Sequence, residues 1–217
     1  MSRETFDREL QALQDKVISL GSLVSTMLAD SVHCLKMRDF EGSQQIIKTD
    51  RVVNELRYAI EDEVLALIAL RQPAAIDLRV LAAILEIAGE LERIGDYAKG
   101  IGKVNLLIGD VPLIKPLIDL PIMAEKVQSM LDRVIKAFIA RDVEAARSIP
   151  KDDDEIDNLY TQVYRELMVL IMSNPKTLEQ ANYLLWAAHN LERAADRVIN
   201  LCERIIFTVT GKLEEID

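Results

Sequence analysis

The feature that most constrains the fold of this chain is an internal repeat. Matching residues recur about 100 positions apart: Arg38-Asp39 with Arg141-Asp142, Pro73 with Pro175, and Leu91-Glu92-Arg93 plus Asp96 with Leu191-Glu192-Arg193 plus Asp196. The offset drifts from 103 to 100 residues only around the middle turn. Such self-similarity indicates two copies of one supersecondary unit. We therefore predict two like halves, residues 1–109 and 116–217, joined through the Gly- and Pro-rich stretch between them.

Hydrophobic residues follow a helical period throughout both halves. In the last third they recur at alternating spacings of four and three: Leu184, Ala188, Leu191, Ala195, Val198, Cys202, Ile205 and Val209. This pattern is typical of a long helix packed at a shallow angle in a bundle. We predict an all-α fold, a tandem of two three-helix bundles, with helices over residues 4–38, 40–71, 77–108, 117–140, 143–173 and 178–210.

Charge and composition exclude several classes of protein. The chain of 217 residues has 36 Asp and Glu against 26 Lys and Arg, a formal net charge of −10. Nucleic-acid binding and adsorption of a basic helix to anionic lipid both need clustered positive charge. We therefore expect no nucleic-acid partner and no direct attachment to lipid.

Neither export nor membrane insertion is indicated by the sequence. The N-terminus has no apolar segment of the signal-peptide type, and the longest stretch without a charged side chain is residues 17–29. A transmembrane helix needs about 20 mainly apolar residues. Two cysteines, Cys34 and Cys202, are too few for a disulfide framework. We expect a soluble, cytoplasmic protein.

Two sets of polar residues are predicted to converge, one in each half. Acids four residues apart share one helix face, and residues of an antiparallel hairpin pair symmetrically about its turn. Both turns, at Pro73 and at Asn174-Pro175, bring such pairs face to face. The residues concerned are Asp50, Asn54, Glu92 and Asp96 in the first half, and Asp153, Asp157, Glu192 and Asp196 in the second.

Converging carboxylates repel one another and need a positive counter-charge. A metal ion that prefers oxygen ligands can supply it: magnesium, manganese or iron, with zinc less suited because it usually prefers His or Cys. The alternative is a solvated face without metal, on which the acids form surface ion pairs with Arg51, Arg93, Arg193 and Arg197. The residues alone leave both interpretations open.

No catalytic motif is found, and we expect the protein not to be an enzyme. A Ser-His-Asp set, a P-loop and a Gly-rich dinucleotide turn are all missing from the sequence. His189 precedes Glu192 by three residues, but di-iron bundles have the reverse order, Glu before His. We interpret His189 as a structural residue.

The stretch from Asp50 through Asn54-Glu55-Leu56, Asp77-Leu78-Arg79 and Leu91-Glu92-Arg93-Ile94-Gly95-Asp96 resembles the PhoU family of phosphate-transport accessory proteins. The second half of the chain contains a second copy of this pattern, and the resemblance to the family covers essentially the whole chain. The resemblance implies iron or other divalent cations bound by the motifs named above. In the first bundle Asn54 replaces an acid, which predicts weaker binding there.

The resemblance also implies a regulatory function without catalysis. A protein of this family signals phosphate sufficiency from the nucleotide-binding subunit of a phosphate ABC transporter to a sensor histidine kinase, which represses the phosphate-starvation response. It works at the cytoplasmic face of the membrane through these partners. Whether the chain forms a homodimer is left open.

Two alternatives remain at this point. The first is a ferritin-like carboxylate-bridged metal enzyme or metal store, which needs glutamates and histidines that point into a bundle core. The acids here lie beside the hydrophobic positions, at the bundle edge. The second is a helical scaffold without metal.

Overall fold

Residues 3–216 are described by the computed structural model, and they form seven α-helices and no β-strand. The helices are α1 (Arg3–Met37), α2 (Phe40–Arg71), α3 (Ala75–Ile108), α4 (Asp119–Ala140), α5 (Val143–Ser148), α6 (Asp153–Ser173) and α7 (Leu178–Thr210). The four longest contain 32 to 35 residues and are therefore about 50 Å long. The predicted all-α class is confirmed.

The predicted fifth helix over residues 143–173 is wrong in one respect, because it is interrupted. Ile149–Asp152 form a 3-10 turn between the short α5 and α6. Pro150 has no amide hydrogen, and its ring would clash with the carbonyl group one turn earlier, so an α-helix cannot continue through it. The break places Asp153 in the first turn of α6.

Local sequence signals explain the starts of α2 and α5. The Asp39 carboxylate accepts a hydrogen bond from the amide of Gly42 at 2.9 Å, and Asp142 accepts one from the amide of Ala145 at 3.0 Å. Both are N-caps, which satisfy amide groups that have no partner within the helix. Helix α3 begins two residues earlier than predicted, so Asp77 lies in its first turn.

The helices pack as two bundles of three long helices. Helices α1, α2 and α3 contact one another, and α4, α6 and α7 form the second set, with α5 against α4 and α7. The hydrophobic positions predicted on α7 are buried as far as Ile205, whereas Val209 in the last turn is 45% exposed. The predicted tandem of two three-helix bundles is confirmed.

The two bundles meet along α3 and α7, which cross the middle of the molecule in opposite directions. Glu90 on α3 accepts a hydrogen bond from Asn200 on α7 at 3.1 Å. The repeat-related pair is Asn190 and Gly100, which also lie side by side. The hydrophobic core continues from one bundle to the other, so the division at residues 109–116 into separate domains stays a prediction.

The segment between α3 and α4 is attached to the second bundle. Gln180 donates a hydrogen bond to the carbonyl of Pro112 at 3.0 Å and accepts one from the amide of Ile114 at 2.5 Å. Lys115 forms an ion pair with Glu166 on α6. These contacts attach this segment to α6 and α7.

Helix α1 is long and apolar enough to cross a membrane by length and composition. However, 56% of its most apolar 18-residue window is buried inside the protein, where residues such as Val17, Leu20 and Val24 contact the core. A core helix of a bundle has this same pattern.

Candidate functional site

The hairpins α2–α3 and α6–α7 bring the predicted polar residues together in two clusters. The first cluster consists of Asp50 and Asn54 on α2 with Glu92 and Asp96 on α3, and the second of Asp153 and Asp157 on α6 with Glu192 and Asp196 on α7. Each acid on α3 or α7 follows a buried residue of the hydrophobic face. The clusters therefore lie at the bundle edge, as predicted.

The first cluster contains its own positive charge, the ammonium group of Lys99. Lys99 Nζ lies 2.7 Å from Asp50 Oδ2 and 3.2 Å from Asp96 Oδ1, so it connects α2 with α3. The hydrogen bond to Asp50 raises the pKa of Lys99 and keeps it protonated. Asn54 adds a hydrogen bond from its amide to Asp50 Oδ2 at 3.3 Å.

The carboxylates of the first cluster are not fully compensated by Lys99. Asp50 is only 6% exposed, and its Oδ1 has no hydrogen-bond partner among the residues that the structure describes. Burial, and then the charge of Asp96, raise the pKa of Glu92, against an opposing effect of Arg57. The ammonium group of Lys99 thus contacts two of the three acids, Asp50 and Asp96.

The second cluster has four acids and no lysine among its described contacts. Burial raises the pKa of Asp153 to about 6, and the charges of Asp157, Asp196 and Glu192 add to this effect. Burial and Asp196 also raise the pKa of Asp157. Mutual repulsion of this kind marks an acidic site that is short of positive charge.

Two nearby basic groups contact the second cluster only at its edge. Arg193 Nη1 lies 3.1 Å from Asp196 Oδ2. His189 Nδ1 lies 3.1 Å from Glu192 Oε2, but without hydrogen-bond geometry, so Glu192 Oε2 is buried without a hydrogen-bond partner in the described part of the chain. The same holds for Asp153 Oδ1.

The four arginines of the surface ion-pair alternative contact different acids. Arg51 pairs with Glu55, and both Arg93 and Arg197 pair with Glu90. Within residues 3–216, Arg193 is the one of these four that pairs with a cluster acid. Direct ion pairs with these arginines therefore involve one of the cluster acids, although the charges of Arg93 and Arg193 also oppose the rise in pKa of Glu92 and Glu192.

A cleft of about 550 Å³ opens beside the second cluster. Its lining includes Asp153 from α6, Asp196, Ile199 and Asn200 from α7, and Ile216. The cleft is large enough for a cation with its water ligands.

The side chains are not in coordination geometry as they stand. Within residues 3–216, no three His, Cys, Asp or Glu side chains are arranged to hold a metal ion directly. The donor chemistry of the second cluster nevertheless fits a hard cation, because Asp153 Oδ1 and Glu192 Oε2 are buried without a hydrogen-bond donor among the described residues and the neighbouring acids raise the pKa of Asp153.

Lys99 is the residue that sequence reasoning missed. Its spacing from Asp96, three residues on a helix, favours an ion pair and was visible in the sequence. Its contact with Asp50, from the other helix, depends on the hairpin.

The thiol groups do not add reactive chemistry to these sites. Burial raises the pKa of Cys202 to about 12 and also raises the pKa of Cys34. A thiol is nucleophilic only as the thiolate, so both cysteines are core residues, as predicted for Cys202.

Known proteins of one family are similar to this chain over nearly its whole length. The sequence model of the PhoU domain matches twice, at residues 17–104 and 120–205. The phosphate-specific transport system accessory protein PhoU homolog of Caulobacter vibrioides is 34% identical over 210 residues, which cover 96% of this chain and 91% of that protein. The PhoU protein of Escherichia coli K12 is 31% identical, over 95% of this chain and 86% of its own.

Two solved structures have the same fold. The crystal structure of the phosphate transport system regulatory protein PhoU from Streptococcus pneumoniae is 31% identical, with a TM-score of 0.90, and the match covers 97% of this chain and all of that one. PhoU from Pseudomonas aeruginosa has the same TM-score at 29% identity, over 95% of this chain and all of its own.

Proposed function

The chain belongs to the PhoU family, and from this premise we propose that it is a metal-binding regulatory adaptor of phosphate transport. In this proposal it contacts the nucleotide-binding subunit of a phosphate ABC transporter and a sensor histidine kinase at the cytoplasmic face of the membrane. When phosphate is sufficient, it represses the phosphate-starvation response. The observation that carries the proposal is full-length similarity to proteins named as accessory to phosphate-specific transport.

Exposed apolar side chains on the two outer helices support a function by binding. On α2 these are Tyr58, Leu65 and Leu70, at 55%, 53% and 74% exposure. On α6, Val169 and Met172 are 64% and 83% exposed. Exposed apolar groups in a polar surround are typical of protein contact surfaces.

Metal binding is the second part of the proposal. Asp153, Asp157, Glu192 and Asp196 would hold the ion, which supplies the positive charge that this cluster needs and joins α6 to α7. Oxygen ligands favour manganese, magnesium or iron over zinc. The first cluster, with Asn54 in place of an acid and with Lys99 inside it, suits a metal less well.

The location of the acids argues against the ferritin-like alternative. Glu192 follows the fully buried Leu191, and its side chain is 23% exposed beside the cleft. A ferritin-type site lies among inward-pointing Glu and His side chains of four helices. Here the cluster lies between two helices at the edge.

Co-purification tests the adaptor function directly. Tagged full-length protein is mixed with the nucleotide-binding subunit of the phosphate transporter from the same organism, and separately with the cytoplasmic part of its sensor kinase, with Mn²⁺ or with EDTA. We expect both partners to be retained. The matched control is a nucleotide-binding subunit from an unrelated ABC transporter, which should not be retained.

A promoter fusion tests regulation in cells. Deletion of the gene should release expression from a phosphate-starvation promoter in phosphate-rich medium, and the wild-type gene should restore repression. If neither partner binds and the deletion leaves the promoter repressed, the adaptor proposal is wrong.

A further inference from the structure

We infer that Lys99 is the residue that makes the two repeats different: its ammonium group takes the position of a cation in the first cluster and so directs metal to the second. The inference rests on the proposed metal binding. It concerns the specificity of the two sites, which similarity between the repeats does not explain.

The geometry of Lys99 is that of a bridging cation. Its ammonium group contacts one carboxylate from each helix of the hairpin, Asp50 on α2 and Asp96 on α3, at 2.7 and 3.2 Å. The side chain of Asp50 is only 8% exposed, and that of Lys99 is 26% exposed. The ammonium group therefore lies between the helices instead of extending into solvent.

A metal ion and Lys99 compete for the same oxygens. A divalent cation bound to Asp50 and Asp96 would lie next to the ammonium group, and two positive charges at such a distance repel strongly where water is partly excluded. To accept the metal, Lys99 would have to give up both ion pairs. In the first cluster, the two ion pairs of Lys99 thus stand where contacts to a metal ion would otherwise form.

The second repeat has an apolar residue at the equivalent position. The offset of 100 residues that relates Glu92 to Glu192 relates Lys99 to Ile199. Ile199 lines the cleft together with Asp153 and Asp196, so it occupies the same side of its cluster as Lys99 does in the first. The acids there have no ammonium group among the contacts that the structure describes.

Exchange of the two residues tests the inference. Metal-free full-length protein is titrated with Mn²⁺, and free Mn²⁺ is measured by electron paramagnetic resonance for the wild type, Lys99→Ile and Ile199→Lys. The matched control is Lys103→Ile, which removes the same charge from an exposed position one turn further along α3. Circular dichroism confirms the helical content of each variant.

We expect the wild type to bind Mn²⁺ at the second cluster only. Lys99→Ile should gain an additional Mn²⁺ site, which is lost again when Asp96→Ala is added. Ile199→Lys should weaken binding at the second cluster by about tenfold or more, and Lys103→Ile should bind like the wild type. Lys99→Ile leaves Asp50 buried without its cation and could therefore unfold the protein. In that case Ile199→Lys alone provides the test.

Two results would overturn the inference, and they can be told apart. In the first result, the wild type binds Mn²⁺, and both Lys99→Ile and Ile199→Lys bind the same amount with the same affinity. The assignment of Lys99 is then wrong, while the proposed metal binding stands. If neither the wild type nor Lys99→Ile binds Mn²⁺, the proposed metal binding fails together with the inference.

Discussion

Substitution of Asp153 by Asn should stabilise the metal-free protein at neutral pH. Asp153 lies where α6 begins, and burial together with four neighbouring acids raises its pKa from 3.8 to about 6. At pH 7 the group is ionised in both the folded and the unfolded state, but only the folded state has the cost of repulsion and burial. An amide of the same shape removes that cost.

The size of the effect follows from the difference between the two pKa values. One pKa unit corresponds to about 1.4 kcal/mol, so a rise from 3.8 to about 6 corresponds to about 3 kcal/mol at most. Asp153 is partly exposed, and screening by solvent reduces this value. We expect the free energy of unfolding to rise by about 1–2 kcal/mol at pH 7 in EDTA.

The sign of the pH dependence is the more stringent part of the prediction. As the pH falls through about 6, folded Asp153 takes up a proton that the unfolded chain does not yet bind, so the folded state of the wild type gains stability relative to Asp153→Asn. The advantage of the variant should therefore shrink below pH 6 and vanish near pH 4. With saturating Mn²⁺ the order should reverse, because the wild type then binds metal more tightly.

Urea denaturation followed by circular dichroism between pH 4 and pH 7.5 measures these differences. Asp62→Asn is the matched control, because it removes the same charge from an exposed position on α2 outside both clusters. If Asp153→Asn is no more stable than the wild type at pH 7, or if its difference from the wild type does not change with pH, the account of the second cluster as a repelling group of acids is refuted.

Three further predictions concern metal, core and membrane. Glu192→Ala with Asp196→Ala should lower bound Mn²⁺ in equilibrium dialysis far more than Glu92→Ala with Asp96→Ala; equal losses would contradict the asymmetry of the clusters. Asn105→Ala should lower the free energy of unfolding by about 2–3 kcal/mol in urea denaturation, because buried Asn105 donates to the carbonyl of Cys34 at 3.1 Å and to Ser43 Oγ at 2.8 Å; a change below about 0.5 kcal/mol would show that these hydrogen bonds are replaced. In flotation with anionic liposomes, the isolated protein in EDTA should stay unbound because of its net charge of −10, and binding should require the transporter; strong flotation of the protein alone would refute recruitment through partners.

Much of the fold could be predicted because its signals are local. The spacing of apolar residues identified the long helices, and Asp39 and Asp142 marked two of the helix starts. The repeat placed the acids in equivalent positions, and hairpin symmetry predicted which would face each other. Pro150 was visible in the sequence too, yet the helix over residues 143–173 was predicted without a break at it.

The partners of the long charged side chains could not be predicted in the same way. Arg197 is close in sequence to the acids of the second cluster, yet it contacts Glu90, which the crossing of α3 and α7 brings within reach. Several rotatable bonds allow such a side chain to reach acids on different helices. The choice among them depends on the packing of elements that lie far apart in the sequence.

The sequence by itself therefore determined the helices, the repeat and the residues that make up the two clusters, since periodicity, turn residues and spacing act within one hairpin. Only the tertiary structure decided that the first cluster encloses Lys99 and that the second does not enclose an ammonium group. It also decided the raised pKa of Asp153, because burial and the charges of a second helix produce that shift. Both depend on distances across the bundle, which no local pattern encodes.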